Sequence, residues 1–285
     1  MSRPLLALHT ETTLTSDLPT DAAVARETGW DGLEVMAAKL RRYLDAGGDV
    51  SELVAQFDGV APLSLLNLPD VERQAPAART GLLQECEDLC ALANSVGCSW
   101  IQLLTGPLDP RGTYSGLTGA DWESVRTLTA RNIRDICDLG ARHGISFYLE
   151  GLAWTPVRTL EQLVEIITEV DRSNLGIVVD FWHLWTAGTT ADDIARLDGS
   201  VIACVHFCDA LDEPGGGGDP RQAGRNVWPG NGLIPLREWV DAIRSTGFDG
   251  WWSCELLGPL FWEMEPEALA RAARAQLAET LELSA

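Results

Sequence analysis

Residues 174–185 read NLGIVVDFWHLW. Five consecutive positions, Leu175 to Val179, are apolar or glycine, and the run ends on Asp180 with His183 three residues further on. Such a run fits a strand buried on both faces. A carboxylate at the lip of a buried strand is costly unless something compensates its charge. How the other strands of the chain end decides what that compensation is.

Short apolar runs rich in β-branched residues recur along the 285 residues, separated by segments of helical period. They predict strands at LLALH (5–9), GLEVM (32–36), APLSLLN (61–67), SWIQLL (99–104), ISFYLE (145–150), LGIVVD (175–180), VIACVHF (201–207) and GWWSCEL (250–256). Between them, residues 78–97 place Leu82, Cys86, Leu89, Cys90 and Ala93 on one helical stripe. Residues 122–144 do the same with Val125, Leu128, Ile133, Ile136 and Leu139. Gly97, Gly144 and Gly247 stand shortly before the next strand, as helix-ending glycines do.

Eight strands alternating with helices predict an α/β fold of the (β/α)8 TIM-barrel type, a single domain over 1–285, since such barrels run to about 250 residues. An open doubly wound sheet is the competing architecture, but it usually carries a glycine-rich phosphate turn after its first strand. Here the first strand runs into HTETTLTSDLPT, without a glycine. The longest connection, after the seventh strand, includes DEPGGGGDPRQAGRNVWPGNG (212–232) and reads as a mobile loop placed to cover a site.

Composition narrows the function. Against 21 basic residues stand 42 acidic ones, a net charge of −21, which disfavours nucleic acid and anionic membranes as partners. Lys39 is the single lysine; it lies just beyond a predicted strand and reads as a solvated surface residue rather than a Schiff-base amine. Seven cysteines without a C-x-x-C pair read as reduced, buried apolar residues of a cytoplasmic protein. No apolar run reaches the length of a membrane span, and the N-terminal one is too short for a signal peptide.

In a parallel barrel the C-terminal strand ends share one face, where chemistry is assembled. The fifth strand ends at Glu150, the sixth at Asp180 and the eighth at Glu255, while the seventh carries His206. Each residue alone has an ordinary explanation: a helix cap, an arginine partner, a satisfied core histidine. Together they place three carboxylates and an imidazole at one rim, an arrangement that calls for a cation. Oxygen donors with one imidazole suit Mn²⁺, with Mg²⁺ or Co²⁺ as alternatives, whereas structural zinc prefers thiolates.

The chain resembles the xylose-isomerase-like TIM-barrel superfamily, particularly its sugar isomerase and epimerase branch. The resemblance rests on TGWDGLEV (28–35), HGISFYLE (143–150), VVDFWH (178–183), VHFCD (205–209), RNVWPGNG (225–232) and GFDGWWSCEL (247–256). It implies that Glu150, Asp180, His206 and Glu255 ligate the metal, that Glu150 and Glu255 also exchange protons with substrate, and that His183 binds a substrate oxygen. Arg225 matches the family's substrate-side arginine, although it precedes Pro229 by one residue more than the R-x-x-P-G spacing. A homodimer or homotetramer is also implied.

These roles predict a metal-dependent isomerase or epimerase acting on a sugar, keto-sugar or related polyol. Proton abstraction beside a carbonyl gives a stabilised enediolate, and return of the proton inverts the carbon or shifts the carbonyl. Loss of a β-hydroxyl instead gives a lyase, resembling inosose or 3-dehydroshikimate dehydratase. A metabolite-binding barrel and an endonuclease IV-like nuclease are further readings; the nuclease needs a histidine-rich trinuclear site, and this chain has four histidines. His9 and Glu34, at the first two strands, are candidates to face the site, as is Trp154 for stacking on sugar C–H groups, with Trp182, Trp185 and Trp228 in neighbouring loops. His143 precedes the fifth strand and belongs to the opposite, structural face.

Overall fold

A computed structural model describes residues 3–216 and 222–283. Eight strands, β1 (Leu5–His9), β2 (Gly32–Met36), β3 (Ala61–Leu68), β4 (Trp100–Leu104), β5 (Ser146–Glu150), β6 (Leu175–Asp180), β7 (Ile202–Phe207) and β8 (Trp251–Cys254), pair in parallel and in sequence order. Strand β1 pairs with β8 as well as β2, closing a (β/α)8 barrel and excluding the open sheet. All eight lie within a residue or two of the positions read from the apolar runs. Their continuous apolar character follows from burial on both faces, against the surrounding helices outside and the barrel interior within.

The helix Pro76–Val96 buries the expected stripe of Leu82, Cys86, Leu89, Cys90 and Ala93. In Trp122–His143 the buried face is rotated slightly: Thr129 and Asn132 are buried while Leu128 is half-exposed. Asn132 takes the inward position because its amide donates to the Val71 and Arg73 carbonyls, tying that helix to the loop after β3. Gly97 and Gly144 end these two helices at φ +84° and +70°, the left-handed conformation that costs a side-chain-bearing residue strain.

The barrel interior is layered. Ala7, Tyr148, Val178, Ala203, Cys204 and Trp251 pack together in its lower part, with Leu63 and Trp100 against them. Because side chains alternate along a strand, residues two positions on from this layer point inward one level higher. From Tyr148, Val178, Cys204 and Trp251 that step leads to Glu150, Asp180, His206 and Ser253, and once more to Glu255. An apolar plug therefore supports a polar mouth.

The seven cysteines are all buried and unpaired. Among the described residues no helix is long and apolar enough to cross a membrane. Lys39 departs from its reading as a surface residue. It is 1% exposed, and its ammonium lies 2.7 Å from Asp21, on the helix α1 (Leu18–Thr28). Lys39 itself is on α2 (Ala37–Asp45), so the pair ties two helices together. Residues 217–221, within the glycine-rich connection read as a mobile cover, lie outside the described residues.

Candidate metal centre and active site

Strands β5, β6 and β7 and the residue just beyond β8 bring four donor groups to one centre. Asp180 pairs directly with His206 across β6 and β7, and His206 stands beside Ser253 of β8, two residues before Glu255. Ligand atoms of Glu150, Asp180, His206 and Glu255 all lie within 4.8 Å of one another. Nδ1 of His206 faces Oε2 of Glu150 at 3.6 Å, Oδ2 of Asp180 at 3.7 Å and Oε2 of Glu255 at 3.7 Å. All four residues are buried, none more than 4% exposed.

Two of these atoms, Nδ1 of His206 and Oδ2 of Asp180, have no hydrogen-bond partner. Buried polar atoms are rarely left so, and here they point at a common centre. Three carboxylates with one imidazole nitrogen form a donor set that fits a hard or borderline divalent cation. Asp180 also does what its ordinary reading required: its Oδ1 accepts the His183 N–H at 2.6 Å and caps the following helix, Phe181–Thr186. The two roles use different oxygens of one carboxylate.

Arg225 reaches this cluster despite its added spacing. Its guanidinium lies 2.5 Å from Oε2 of Glu255 and 3.6 Å from Oδ2 of Asp180, and it sits over the Trp182 ring at 5.1 Å. Asp209, two residues after β7, anchors the loop that follows Arg225 by accepting the N–H groups of Gly230 (2.8 Å), Gly232 (2.9 Å) and Ile234 (3.2 Å).

The electrostatics separate the two glutamates. Burial pushes the Glu150 carboxyl well above the usual range, with His206 only partly opposing it. Burial raises Glu255 too, but Arg225, His9 and His206 outweigh it and hold that carboxyl well below. Asp180 is pushed up to about 7, mainly by burial, with Arg225 opposing. Burial lowers His206, yet Glu34 and Glu255 more than reverse this and raise it well above the ordinary imidazole range. Burial and Arg225 push His183 well below it.

His183 is held in one tautomer. Its Nδ1 accepts the Ala153 N–H at 3.0 Å, leaving Nε2 to carry the proton, 3.4 Å from Oε1 of Glu150. His9 behaves alike: Nδ1 accepts the Glu11 N–H at 3.4 Å and Nε2 lies 3.5 Å from Oε1 of Glu255. Burial lowers His9 to about 4, so it is neutral and presents an N–H to Glu255. Glu34, one of the candidates to face the site, stands behind His206, its Oε2 3.1 Å from Nε2.

A cavity of about 90 Å³ opens onto Glu150, His183, Arg225 and Glu255, while Asp180, His206 and His9 are not part of its lining. Trp154 lines it, fixed by a 2.8 Å hydrogen bond from its indole N–H to the Pro107 carbonyl. The other candidate tryptophans are absent from the lining: Trp182 and Trp185 donate to Asp212, and Trp228 packs on Phe261. His143 pairs with Glu87 at 2.8 Å, outside the site. Lining residues that sequence reading missed are Glu11, Asn67, Gln102 and Gln222. Gln102 had a visible signal, a polar residue inside an otherwise apolar strand, and its amide donates to Glu150 at 2.5 Å. Glu11, pushed up to about 7 by burial and by Glu255, lies in a loop where nothing in the sequence marked it.

The model of the xylose isomerase-like TIM barrel family matches residues 22–280. The inosose isomerase of Bacillus subtilis is 25% identical over 274 residues, covering 94% of this chain and 95% of that protein. A 3-dehydroshikimate dehydratase of Pseudomonas aeruginosa is 25% identical over 253 residues, which are 87% of this chain and 37% of the longer relative. Among solved structures, the IOLI protein with a bound zinc atom superposes with a TM-score of 0.88 at 24% identity, over 98% of both chains. These relatives are enzymes acting on small molecules. With its closed barrel and its family match over most of its length, this chain belongs to the xylose isomerase-like TIM barrel family.

Proposed function

We propose that the protein is a divalent-metal-dependent isomerase or epimerase of an uncharged carbonyl polyol, a keto-sugar or keto-cyclitol, with Glu150, Asp180, His206 and Glu255 as the metal ligands. The observation that carries this reading is the convergence of these four buried groups on one centre, with two of their atoms left without hydrogen-bond partners. Mn²⁺ is the cation of first choice for the donor set, with Mg²⁺ or Co²⁺ as alternatives. The zinc in the IOLI protein supports a divalent ion in this fold without choosing among them.

A bound dication supplies polarisation of a carbonyl oxygen and stabilises the negative charge left when a neighbouring proton is removed. The chain's own residues do the rest. Glu255, in contact with Arg225 and beside the His9 Nε2, is the base that takes the proton, and Glu150 is the group that returns one. The N–H of His183 orients a substrate oxygen, and Trp154 covers a C–H face beside it. Arg225 keeps Glu255 in place through its 2.5 Å contact. The lining carries Glu11, Glu150 and Glu255 against Arg225, its single cation among the described residues, which Glu255 already engages; an uncharged substrate fits this better than a carboxylated one.

The dehydratase relative supports a second reading, in which the same proton abstraction is followed by loss of a β-hydroxyl. The chain has four histidines, one of which, His143, pairs with Glu87 outside the site, too few for the histidine-rich trinuclear centre of a nuclease. Buried, unpaired cysteines fit a cytoplasmic location, and the family resemblance supports a homodimer or homotetramer. The deciding experiment incubates Mn²⁺-loaded protein in D₂O with uncharged ketoses and keto-cyclitols. Deuterium at carbon beside the carbonyl, with isomer formation, is the expected result. Release of water would move the protein to the lyase reading, and no exchange with any carbonyl polyol would reject catalysis in favour of binding alone.

A further inference from the structure

We infer that Glu34 is the positioning residue that decides which nitrogen of His206 faces the metal. The inference rests on the metal-binding reading above and concerns how the site is built.

Glu34 lies on β2, fully buried, behind the donor cluster. Its Oε1 accepts two hydrogen bonds, from the Tyr148 hydroxyl at 2.7 Å and the Ser64 hydroxyl at 2.9 Å. That leaves Oε2 for His206, whose Nε2 lies 3.1 Å away. Neither atom has another hydrogen-bond partner, and His9, whose ligand atom lies within 4.8 Å of theirs, has its own Nε2 unpaired toward Glu255 at 3.5 Å. The ring itself is packed edge-on by His9 at 5.1 Å and by Tyr148 at 6.1 Å between centroids.

A carboxylate only accepts, so the imidazole nitrogen facing Glu34 must carry a proton. A neutral ring then presents Nδ1 as a bare lone pair, toward Glu150, Asp180 and Glu255. Ligating histidines generally have an outer carboxylate or carbonyl that sets tautomer and orientation in this way. The distinctive feature here is that Tyr148 and Ser64 both claim Oε1, which stops the Glu34 side chain from exchanging its two oxygens freely.

That feature predicts an inversion in Glu34→Gln. Tyr148 and Ser64 hold the amide oxygen, and the NH₂ group turns to Nε2 of His206. Nε2 must then accept, the proton moves to Nδ1, and the ligand lone pair is lost. Metal affinity should fall about 10- to 100-fold. Adding Tyr148→Phe and Ser64→Ala frees the amide to turn its oxygen toward His206, and should recover about tenfold of that loss.

The test uses Zn²⁺ alone as probe. In wild-type protein labelled with ¹⁵N-histidine and loaded with Zn²⁺, NMR should show His206 protonated at Nε2 and metal-bound at Nδ1. Titrations of Zn²⁺ into wild type, Glu34→Gln and the triple variant should give tight, weakened and partly restored binding. Ligation through Nε2, or wild-type affinity in Glu34→Gln, would overturn the inference while leaving the metal site standing. Failure of wild type to bind Zn²⁺ or Mn²⁺ would overturn the inference and the metal reading together. The NMR arm needs no variant and decides the matter even if Glu34→Gln does not fold.

Discussion

Two clusters of buried charge lie in this barrel, and they are built on opposite terms. In the first, Lys39 donates to Asp21 at 2.7 Å, to the Thr13 carbonyl at 2.7 Å and to the Ser16 hydroxyl at 3.4 Å. Asp21 in turn accepts from Thr13 at 2.7 Å and from Ser16. One positive and one negative group cancel, and none of these side-chain atoms lacks a partner. In the second, at the barrel mouth, Glu150, Asp180 and Glu255 crowd around His206 with only Arg225 as a permanent cation, and atoms of Asp180 and His206 are unpaired. Burial alone therefore does not mark a functional site. The closed cluster fastens α1 to α2, and the open one has unspent binding capacity for a ligand.

The largest effect should come from breaking the open cluster chemically. Glu150→Gln and Glu255→Gln, assayed with the substrate found by deuterium exchange, should each lower kcat by about a thousandfold, the middle of the range for positioned proton transfer. Circular dichroism should show the barrel intact. Activity near wild type in both would remove their proton-transfer roles.

Breaking the closed cluster should instead cost stability. Lys39→Met leaves the buried Asp21 carboxylate without its cation, with only the Thr13 and Ser16 hydroxyls donating to it, and should destabilise by about 3–5 kcal/mol in urea unfolding. Replacing Asp21 as well, by Leu, should return most of that loss, because no uncompensated charge remains. Equal costs for the single and the double variant would contradict the pairing.

A third test joins charge to pH. Asp180 titrates near 7 in the metal-free site against 3.8 in an ordinary context, so between these values the folded chain keeps a proton that the unfolded chain has shed. Metal-free stability should therefore fall as pH rises through this window, since the unfolded state there binds fewer protons. A cation takes the proton's place, so its stabilisation should grow over the same window. Mn²⁺ at about a thousand times its Kd should add roughly 4 kcal/mol. The thermal shift it causes should be larger at about pH 7.5 than at about pH 5.5.

The smallest effect sharpens the contrast most. Asp180→Asn keeps the helix cap through its amide oxygen while removing an unsatisfied charge. In metal-free protein it should leave stability unchanged or raise it by about 1 kcal/mol. A loss as large as that of Lys39→Met would show that the mouth is also closed and structural.

The parts legible without coordinates were those with a period or a position. Alternating apolar runs and helical stripes gave the strands, and with them the barrel, because a parallel strand covered on both faces leaves a nearly uninterrupted apolar signature. Glu150, Asp180, His206 and Glu255 were legible because strand ends are positions in a barrel, and eight such ends face one way. Arg225 was harder, since its reach depends on how the loop after β7 folds back, and Asp209 controls that through three backbone N–H groups distant in sequence.

What folding alone decided is which polar residues became partners. Lys39 looked like a surface residue because local sequence says nothing of an aspartate eighteen positions earlier turning to meet it. Glu11, Gln102 and Glu34 gained their places in the same way: one lines the cavity, one donates to Glu150, one stands behind His206. Apolar burial is additive along the chain, so its pattern can be read one element at a time. Charge compensation is a property of pairs, and a pair exists only once the barrel has closed around it.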